Sequence, residues 1–285
     1  MRLVSYVRAA DVSTSFGVVI GEDAIIDARQ VIGGDVSDLG ELLRTQRLDE
    51  LEKAVEGRQP TDRLTQVRLL PPIPNPAKIL CVGLNYRSHV AETDRPPMQY
   101  PTLFSRYADS QMGHLASAEI PPESTQFDYE GELAVVIGAP ARRIAPADAM
   151  AVVAGYSVYN DFSARDWQRH TSQFLPGKNF PSTGGFGPWL ITADEVPNVE
   201  HSVLTTRVNG EVRQNAPISD LIFDIAHLIA YISTFTPLAP GDVIVTGTPG
   251  GVGLFMDPPI FLTAGDVVEV EIDGVGTLSN IVAST

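Results

Sequence analysis

The sequence predicts an α+β fold that is mainly β, and three observations support this class. The 24 glycines and 22 prolines among 285 residues indicate many turns between short strands. Apolar runs of strand length recur along the chain, whereas helical patterns are few and local. Strand patterns do not alternate regularly with helical ones, so we do not expect a Rossmann-type parallel sheet.

Residues 1–70 are predicted to form a small N-terminal α+β domain, followed by a larger domain over residues 71–285. The strand patterns LVSYV, GVVIG and AIIDA precede two stretches with helical spacing, DLGELLRT and RLDELEKAVEG. The run LLPPIPNPAKILCVGL then places four prolines before a clear strand, a composition typical of a domain boundary.

The larger domain begins with a predicted strand at 79–83 and a helical segment at 87–92. A Pro-rich loop leads to an acidic strand, DYEGELAVVIG. The later patterns are, in order, a strand GYSVYND, a short helix ARDWQRH, a Gly-rich loop, a helix FDIAHLIAYISTF, and the strands DVIVTG and DVVEVEIDGVG.

Charge and cysteine content exclude several classes of protein. The formal net charge of -15 and the absence of a basic cluster argue against nucleic acid or an anionic membrane as a partner. An anionic substrate would need local positive charge from a metal or an arginine. Cys81 is the single cysteine, so we expect no disulfide framework and treat this residue as a buried hydrophobe. The start MRLVSYVRAADV lacks a signal-peptide pattern, and we expect a cytoplasmic protein.

The acidic strand carries three carboxylates at alternate positions, Asp128, Glu130 and Glu132. Alternate side chains of a strand share one face, so these acids would crowd together. A solvated acidic edge is one interpretation. Tyr129 and Gly131 between the acids, and the unbroken apolar run after them, favour a buried strand instead. Buried carboxylates that close must bind protons or share a cation, and oxygen ligands suit Mg²⁺, Mn²⁺ or Ca²⁺.

Asp161 ends the apolar strand in VYNDFSARDWQ and could complete a three-carboxylate site. The alternative is that Asp161 caps the N-terminus of the following short helix, because aspartate is a favoured capping residue.

Other residues offer acid-base or charge chemistry. His89 and Glu92 in HVAE lie three residues apart and would meet on one helix face, as a proton-transfer pair or as an ordinary surface pair. Lys178 in GKNF and Arg106 in LFSRY are cations that could bind substrate or form surface salt bridges. The glycines of TGTPGGVG at 246–253 could present backbone amides to an anion, or simply form turns.

Together, the motifs resemble the fumarylacetoacetate hydrolase family in sequence and in order. They are NYRSHVAE, DYEGELAVVIG, GYSVYNDFSARDWQ, GKNF followed by GPWLIT, RVNGEVRQ and DVIVTGTPGGVG. The resemblance covers residues 75–283. It implies a mixed β-sheet sandwich or roll, a homodimer, and bound Mg²⁺ or Mn²⁺ with Glu130, Glu132 and Asp161 as the ligands.

The resemblance also implies functional roles for other positions. Lys178 matches the family's lysine, His89 and Glu92 its catalytic dyad, and Thr248 a contact to the substrate carboxylate. Arg106 stands where a contact to a distal anionic group is expected.

The reaction expected from the resemblance is hydrolysis of a C–C bond in a 3-acylpyruvate, such as fumarylpyruvate or maleylpyruvate, in the catabolism of aromatic compounds. Isomerisation or decarboxylation of a 2-oxo acid such as oxaloacetate is the alternative, and a non-catalytic metal-binding scaffold is a third. Because polar, Pro-rich ETDRPPMQY follows the dyad, we expect a mobile lid over residues 88–99.

Overall fold

Strands outnumber helices in the described part of the chain, residues 1–9, 12–33, 35–93 and 98–284 of a computed structural model. The first 70 residues contain the strands and helices predicted for them, with one further short helix and two further short strands. Their bounds are β1 Arg2–Arg8, β2 Thr14–Ile20, β3 Ala24–Asp27, α1 Ala28–Ile32, α2 Leu39–Arg44, α3 Leu48–Val55, β4 Asp62–Arg63 and β5 Val67–Leu69.

The rest of the chain continues with short strands and three α-helices among the described residues. In chain order the elements are β6 Ile79–Gly83, α4 Arg87–Ala91, β7 Thr102–Arg106, β8 Gln111–Met112, β9 Ser117–Ile120, β10 Phe127–Asp128, β11 Gly131–Ile137, β12 Val153–Asp161, β13 Ser163–Ala164, α5 Arg165–Gln168, β14 Gly184–Thr192, β15 Val203–Val208, β16 Glu211–Pro217, α6 Ile225–Phe235, β17 Val243–Val245, β18 Val267–Ile272 and β19 Gly276–Ser284.

Two large sheets pack against each other. The larger sheet runs in the order β4-β3-β2-β1-β14-β12-β11-β17-β6-β7, with β5 paired to β1 and β8 to β14. The smaller runs β16-β15-β18-β19-β9. Most pairs are antiparallel, whereas β17 pairs with β6, β14 with β8, and β19 with β9 in parallel. The prediction of a mainly β, mixed α+β fold is confirmed.

The N-terminal strands extend the larger sheet because β1 pairs with β14, with Leu3 opposite Leu190. Leu3, Leu42 of α2 and Val136 of β11 share one hydrophobic cluster. The predicted boundary near residue 70 therefore falls within one continuous sheet, and the division into two domains stays a prediction.

The apolar half of the acidic segment forms the centre of the larger sheet. On β11, Leu133 and Val135 belong to the cluster beneath α6 and the smaller sheet, whereas Ala134 and Val136 belong to the cluster beneath the N-terminal helices. Both faces of β11 are covered, which explains why its apolar residues do not alternate with polar ones.

The acidic first half of DYEGELAVVIG does not form one continuous strand with the apolar second half, contrary to the prediction. The chain leaves β10 after Asp128 and enters β11 at Gly131, so Tyr129 and Glu130 belong to neither strand. Side chains bind their amides: the Tyr129 N–H donates to Asp128 Oδ1 at 2.9 Å, and the Glu130 N–H to Asn160 Oδ1 at 3.0 Å. Asp128 lies outside the group formed by Glu130, Glu132 and Asp161, although it and Glu130 both bind Arg165.

The described helices include none that is both long enough and apolar enough to cross a bilayer. The longest α-helix in that part of the chain, α6, begins after Asp224, whose side chain accepts the His227 N–H at 2.8 Å, and it buries Leu228 and Ile232 against the larger sheet.

Candidate active site

Three carboxylates meet where β11 begins and β12 ends. Glu130 precedes β11, Glu132 lies within it, and Asp161 is the last residue of β12. The two strands are antiparallel neighbours, and the Asp161 N–H donates to the Glu130 carbonyl at 2.8 Å. One oxygen from each of the three side chains lies within 4.8 Å of the other two, and all three side chains are buried.

The helix-capping alternative for Asp161 does not hold. Helix α5 starts at Arg165 with Ala164 in the capping position, and no side chain accepts a hydrogen bond there. The Asp161 carboxylate instead faces Lys178 and Arg106.

The electrostatics of the carboxylate cluster favour a bound cation. Burial, together with the neighbouring Asp161 and Glu130 charges, raises the pKa of Glu132 well above its ordinary value. Burial also works against ionisation of Glu130, but the adjacent Arg165 and Lys178 outweigh it and hold the pKa of Glu130 below its ordinary value. Three buried oxygen donors at this spacing fit a hard divalent ion such as Mg²⁺ or Mn²⁺.

Lys178 lies inside the cluster. Its Nζ donates to Glu130 Oε2 at 2.6 Å and to Asp161 Oδ2 at 2.7 Å, and it sits 5.2 Å from the centre of the Phe104 ring. Burial would lower the pKa of Lys178, but Asp161 and Glu130 raise it overall. The side chain is therefore a buried ammonium rather than a surface cation.

Arg165 is a site residue that the sequence reasoning missed. Its Nε donates to Asp128 Oδ2 at 2.8 Å, and its Nη1 donates to Glu130 and to Gln168 Oε1. Its Nη2 is buried without a hydrogen-bond partner in the described structure. The signal was present in ARDWQ, where Arg165 and Gln168 stand three residues apart just after Asp161.

Asp128 does not join the other acids, contrary to the prediction that three alternate carboxylates share one face. Besides Arg165, its oxygens accept the N–H groups of Gly253 at 2.9 Å and Leu254 at 3.0 Å. Asp128 therefore anchors Arg165 and the Gly-rich loop.

Arg106 also differs from its predicted place at a distal anionic group. It is fully buried behind the carboxylate cluster and does not line the cavity described below. Its donors bind Asp161, the Phe162 carbonyl, and the hydroxyls of Thr183 at 2.6 Å and Ser110 at 3.3 Å. The reason is strand register: β7 lies at the sheet edge beside β6, which places Arg106 beneath Asp161 instead of at the cavity.

His89 and Glu92 form the predicted pair. His89 lies in α4 and Glu92 follows it, with His89 Nδ1 and Glu92 Oε2 3.1 Å apart. The other Glu92 oxygen accepts the Gly251 N–H at 2.7 Å, and the ring of Phe255 meets the His89 ring edge-on, with centroids 5.7 Å apart. The pair is thus held in place from two sides.

The Gly-rich loop presents its amides to the protein's own carboxylates. The N–H groups of Gly247 and Gly251 bind Glu132 and Glu92, respectively. Gly247 has a φ of 108°, and a Cβ there would approach Asn85 Cβ at 2.8 Å, so this position requires glycine. Thr248 donates to the Gly131 carbonyl at 2.9 Å and lines the cavity.

These groups share a cavity of about 460 Å³. Its polar lining includes His89, Glu92, Glu130, Glu132, Arg165, Gln168, Arg169, Lys178 and Thr248. Its apolar lining is formed by Val82, Leu84, Phe104, Phe174, Leu254 and Phe255. A concave apolar pocket with a few convergent polar groups is the usual form of a small-molecule site.

The predicted lid is only partly within the described residues. Thr93 lines the cavity, whereas residues 94–97 lie outside the part of the chain that the structure describes. The mobility of the segment stays a prediction.

Comparison with known proteins identifies a family and relatives of this chain. The family model for the C-terminal part of fumarylacetoacetate (FAA) hydrolase matches residues 78–283. Mitochondrial oxaloacetate tautomerase FAHD2A of Bos taurus is 42% identical over 235 residues, 82% of this chain and 75% of the relative. Oxaloacetate tautomerase YisK of Bacillus subtilis is 44% identical over 223 residues, 76% of this chain and 73% of the relative.

Two solved structures resemble the whole chain. Fumarylacetoacetate hydrolase from Exiguobacterium antarcticum is 33% identical with a TM-score of 0.85, covering 100% of both chains. Maleylpyruvate hydrolase from Sphingobium sp. SYK-6, in complex with manganese(II) and pyruvate, is 30% identical with a TM-score of 0.80, covering 100% of this chain and 99% of that one.

Proposed function

This chain belongs to the fumarylacetoacetate hydrolase family, and from that premise we propose that it is a metal-dependent tautomerase that interconverts the enol and keto forms of a small 2-oxo dicarboxylic acid such as oxaloacetate. The observation that carries the proposal is that the hydrogen-bonded His89–Glu92 pair lines the same cavity as the carboxylate cluster. Two relatives above 40% identity carry the name oxaloacetate tautomerase, which favours this reaction over C–C hydrolysis.

Glu130, Glu132 and Asp161 would hold one Mg²⁺ or Mn²⁺. When bound there, the metal would act as a Lewis acid toward a 2-oxo group and so acidify the adjacent C–H.

The base in this proposal is His89. With the His89 Nδ1–H donating to the Glu92 carboxylate, Nε2 is the unprotonated nitrogen and can remove a proton from C3 of the substrate. Glu92 fixes the ring orientation and stabilises the imidazolium that forms, and its own position is fixed by the Gly251 N–H. The enol form is completed when the enolate oxygen takes a proton from solvent; in the reverse direction this oxygen loses its proton to solvent and the imidazolium returns a proton to C3.

Two cationic side chains at the inner end of the cavity can stabilise negative charge on a substrate oxygen. Lys178 is held as an ammonium by Glu130 and Asp161. Arg165 lines the cavity with one nitrogen still unpartnered. These cations would attract an anionic substrate despite the net charge of -15 and stabilise negative charge that develops on substrate oxygen.

Hydrolysis of a 3-acylpyruvate is the second candidate, because the similar maleylpyruvate hydrolase structure contains manganese(II) and pyruvate. In that reaction His89 would deprotonate water instead of a C–H group, so the same residues serve both candidates. The predicted role in aromatic catabolism belongs to this second candidate.

The test is to follow the enol absorbance of oxaloacetate and the release of pyruvate from acylpyruvates with the same metal-loaded protein. We expect enol decay well above the rate with metal alone, and slower acylpyruvate cleavage. Fast cleavage without accelerated enol decay would establish the hydrolase. Failure of both reactions in a folded, metal-loaded protein would overturn the tautomerase and the hydrolase.

We also propose the homodimer and the cytoplasmic location that the sequence predicts. The free, buried Cys81 fits a reducing compartment. Light scattering at several protein concentrations tests the dimer, and cell fractionation tests the location, since the vertebrate relative is named as mitochondrial.

A further inference from the structure

Arg169 stands out among the cations that line the cavity. Arg165 and Lys178 form ion pairs with carboxylates, whereas Arg169 forms none within the described residues. It is also exposed, while Arg165 and Lys178 are buried. Arg169 therefore marks the outer end of the cavity, with a positive charge that no carboxylate among the described residues pairs with.

The guanidinium of Arg169 is oriented rather than free. Its Nε donates to the Arg165 carbonyl at 3.2 Å and its Nη2 to Gln126 Oε1 at 2.6 Å. Its Nη1 has no hydrogen-bond partner in the described structure. Because Nε and Nη2 are already hydrogen-bonded, the side chain would lose less conformational entropy on binding an anion. Nη1 remains able to donate both of its hydrogens to that anion.

The position of Arg169 sets the length of ligand that could reach it. Arg165 begins α5 and Arg169 follows its end, so the two backbones are about one helical turn, roughly 6 Å, apart. A four-carbon diacid held at the carboxylate cluster would meet Arg165 first. The same cavity is also lined by the apolar side chains Phe174, Phe104 and Leu254.

We propose that Arg169 is the residue that binds the distal carboxylate when the substrate is a 2-oxo dicarboxylic acid longer than oxaloacetate, such as the fumarylpyruvate or maleylpyruvate that the family resemblance implies. The inference rests on the proposed function, because it assumes that the 2-oxo acid end of the ligand lies at the carboxylate cluster. The cavity volume of about 460 Å³ leaves room for such a chain along the apolar wall. Arg169 is thus a specificity residue at the far end of the substrate.

The experiment measures ligand binding to the Mn²⁺-loaded protein by calorimetry, which does not require turnover. The matched probes are N-oxalyl-γ-aminobutyrate and N-butyloxamate, which share a chelating oxalyl end and differ in having a carboxylate or a methyl group at the other end. Oxalate serves as the short probe. The variants are Arg169→Met and Arg169→Lys, with Arg68→Met as a control that removes one exposed positive charge from β5, outside the cavity lining.

The wild-type protein should bind the diacid probe about 10- to 100-fold more tightly than the methyl-ended probe. Arg169→Met should abolish that preference while changing oxalate affinity less than about twofold, Arg169→Lys should retain part of it, and Arg68→Met should behave as the wild type. The proposal is overturned if the wild type shows no preference, if Arg169→Met keeps it, or if Arg169→Met weakens all three ligands equally. Absent enol turnover with the binding preference intact would refute the tautomerase and leave the role of Arg169 standing.

Discussion

Two clusters of charged side chains in the same sheet, one partly buried near the N-terminus and one buried at the cavity, differ in how fully their carboxylate oxygens are hydrogen-bonded. The N-terminal cluster consists of Tyr6, Arg8, Asp27 and Asp62. Both oxygens of Asp62 accept hydrogen bonds from Arg8, at 2.9 and 2.8 Å, and Tyr6 adds another at 2.9 Å. Asp27 binds Arg8 and the Arg29 N–H. Every carboxylate oxygen of this cluster has a donor.

The carboxylate cluster of the cavity is different. Glu132 accepts one backbone N–H, from Gly247, and forms no ion pair in the described part of the chain. It lies beside Glu130 and Asp161 and lines a cavity. A buried carboxyl group without an ion pair, next to open space and to two other carboxylates, therefore distinguishes a site for a cation from a structural ion-pair network.

The largest effect should come from neutralising Glu132. Glu132→Gln removes a charged metal ligand, and we expect metal-dependent turnover to disappear to the rate of free metal in solution, because the metal's contribution to the reaction is lost. Enol decay of oxaloacetate at saturating Mn²⁺ measures this. Asp62→Asn in the N-terminal cluster is the matched control, and it should keep turnover within about twofold. Equal losses in the two variants would remove the distinction between the clusters.

The second largest loss of activity is expected when the general base, the His89–Glu92 pair, is disrupted. His89→Ala and Glu92→Gln should each reduce tautomerisation, and any acylpyruvate cleavage, by about 10² to 10⁴-fold, because a positioned general base contributes that much. The double variant should lose little more, since the residues act as one unit. Decarboxylation of oxaloacetate needs no such base and should fall much less.

To check this prediction, the rates of tautomerisation, acylpyruvate cleavage and decarboxylation are measured in both single variants and in the double variant. A tautomerisation rate untouched by Glu92→Gln, or additive losses in the double variant, would show that the pair is not the catalytic base.

A third, intermediate effect is expected at Arg106, which orients Asp161 from behind. Arg106→Met leaves the Asp161 carboxylate with one fewer donor, and we expect Mn²⁺ affinity to fall about 10- to 100-fold, as for other residues that hold metal ligands in place. Arg106→Lys should recover part of the affinity. Unchanged Mn²⁺ affinity in a folded Arg106→Met protein would show that Asp161 does not depend on this contact.

Asp62→Asn should have the smallest effect on turnover of the variants considered, but a measurable effect on stability. Asp62→Asn should lower the free energy of unfolding by about 2 kcal/mol at neutral pH, because charged hydrogen bonds to Arg8 are lost. The hydrogen bond from Arg8 lowers the pKa of Asp62 in the folded state. Its contribution is therefore present above the unfolded pKa and is lost as pH falls through the folded pKa.

Denaturant unfolding of both proteins at several pH values tests this. The difference in stability should shrink below about pH 4. A difference that stays constant into strong acid would contradict the assigned ion pair.

The sequence predicts the parts of the molecule that depend on local patterns. The unbroken apolar run of β11 follows from burial on both faces, and the three-residue spacing of His89 and Glu92 follows from one helical turn. The position of Asp161 opposite Glu130 is consistent with its place at a strand end.

Contacts set by strand register and long-range pairing could not be predicted in the same way. Asp128 meets Arg165 across 37 positions of the chain, and Arg106 meets Asp161 across 55. Nothing in the local sequence around Arg106 distinguishes a cation beneath the sheet from one at the cavity. The break between β10 and β11 depends on Asn160, which lies on another strand.

Mn²⁺ binding tests the central claim most directly, namely that the carboxylate cluster of the cavity is a metal site and the N-terminal cluster is not. Chelator-treated full-length protein is titrated with Mn²⁺, and free Mn²⁺ is followed by electron paramagnetic resonance. The wild type and Asp62→Asn should each bind one Mn²⁺ per chain, and Glu132→Gln, with an unchanged circular dichroism spectrum, should lose that binding. Wild-type stoichiometry and affinity in folded Glu132→Gln would contradict the account.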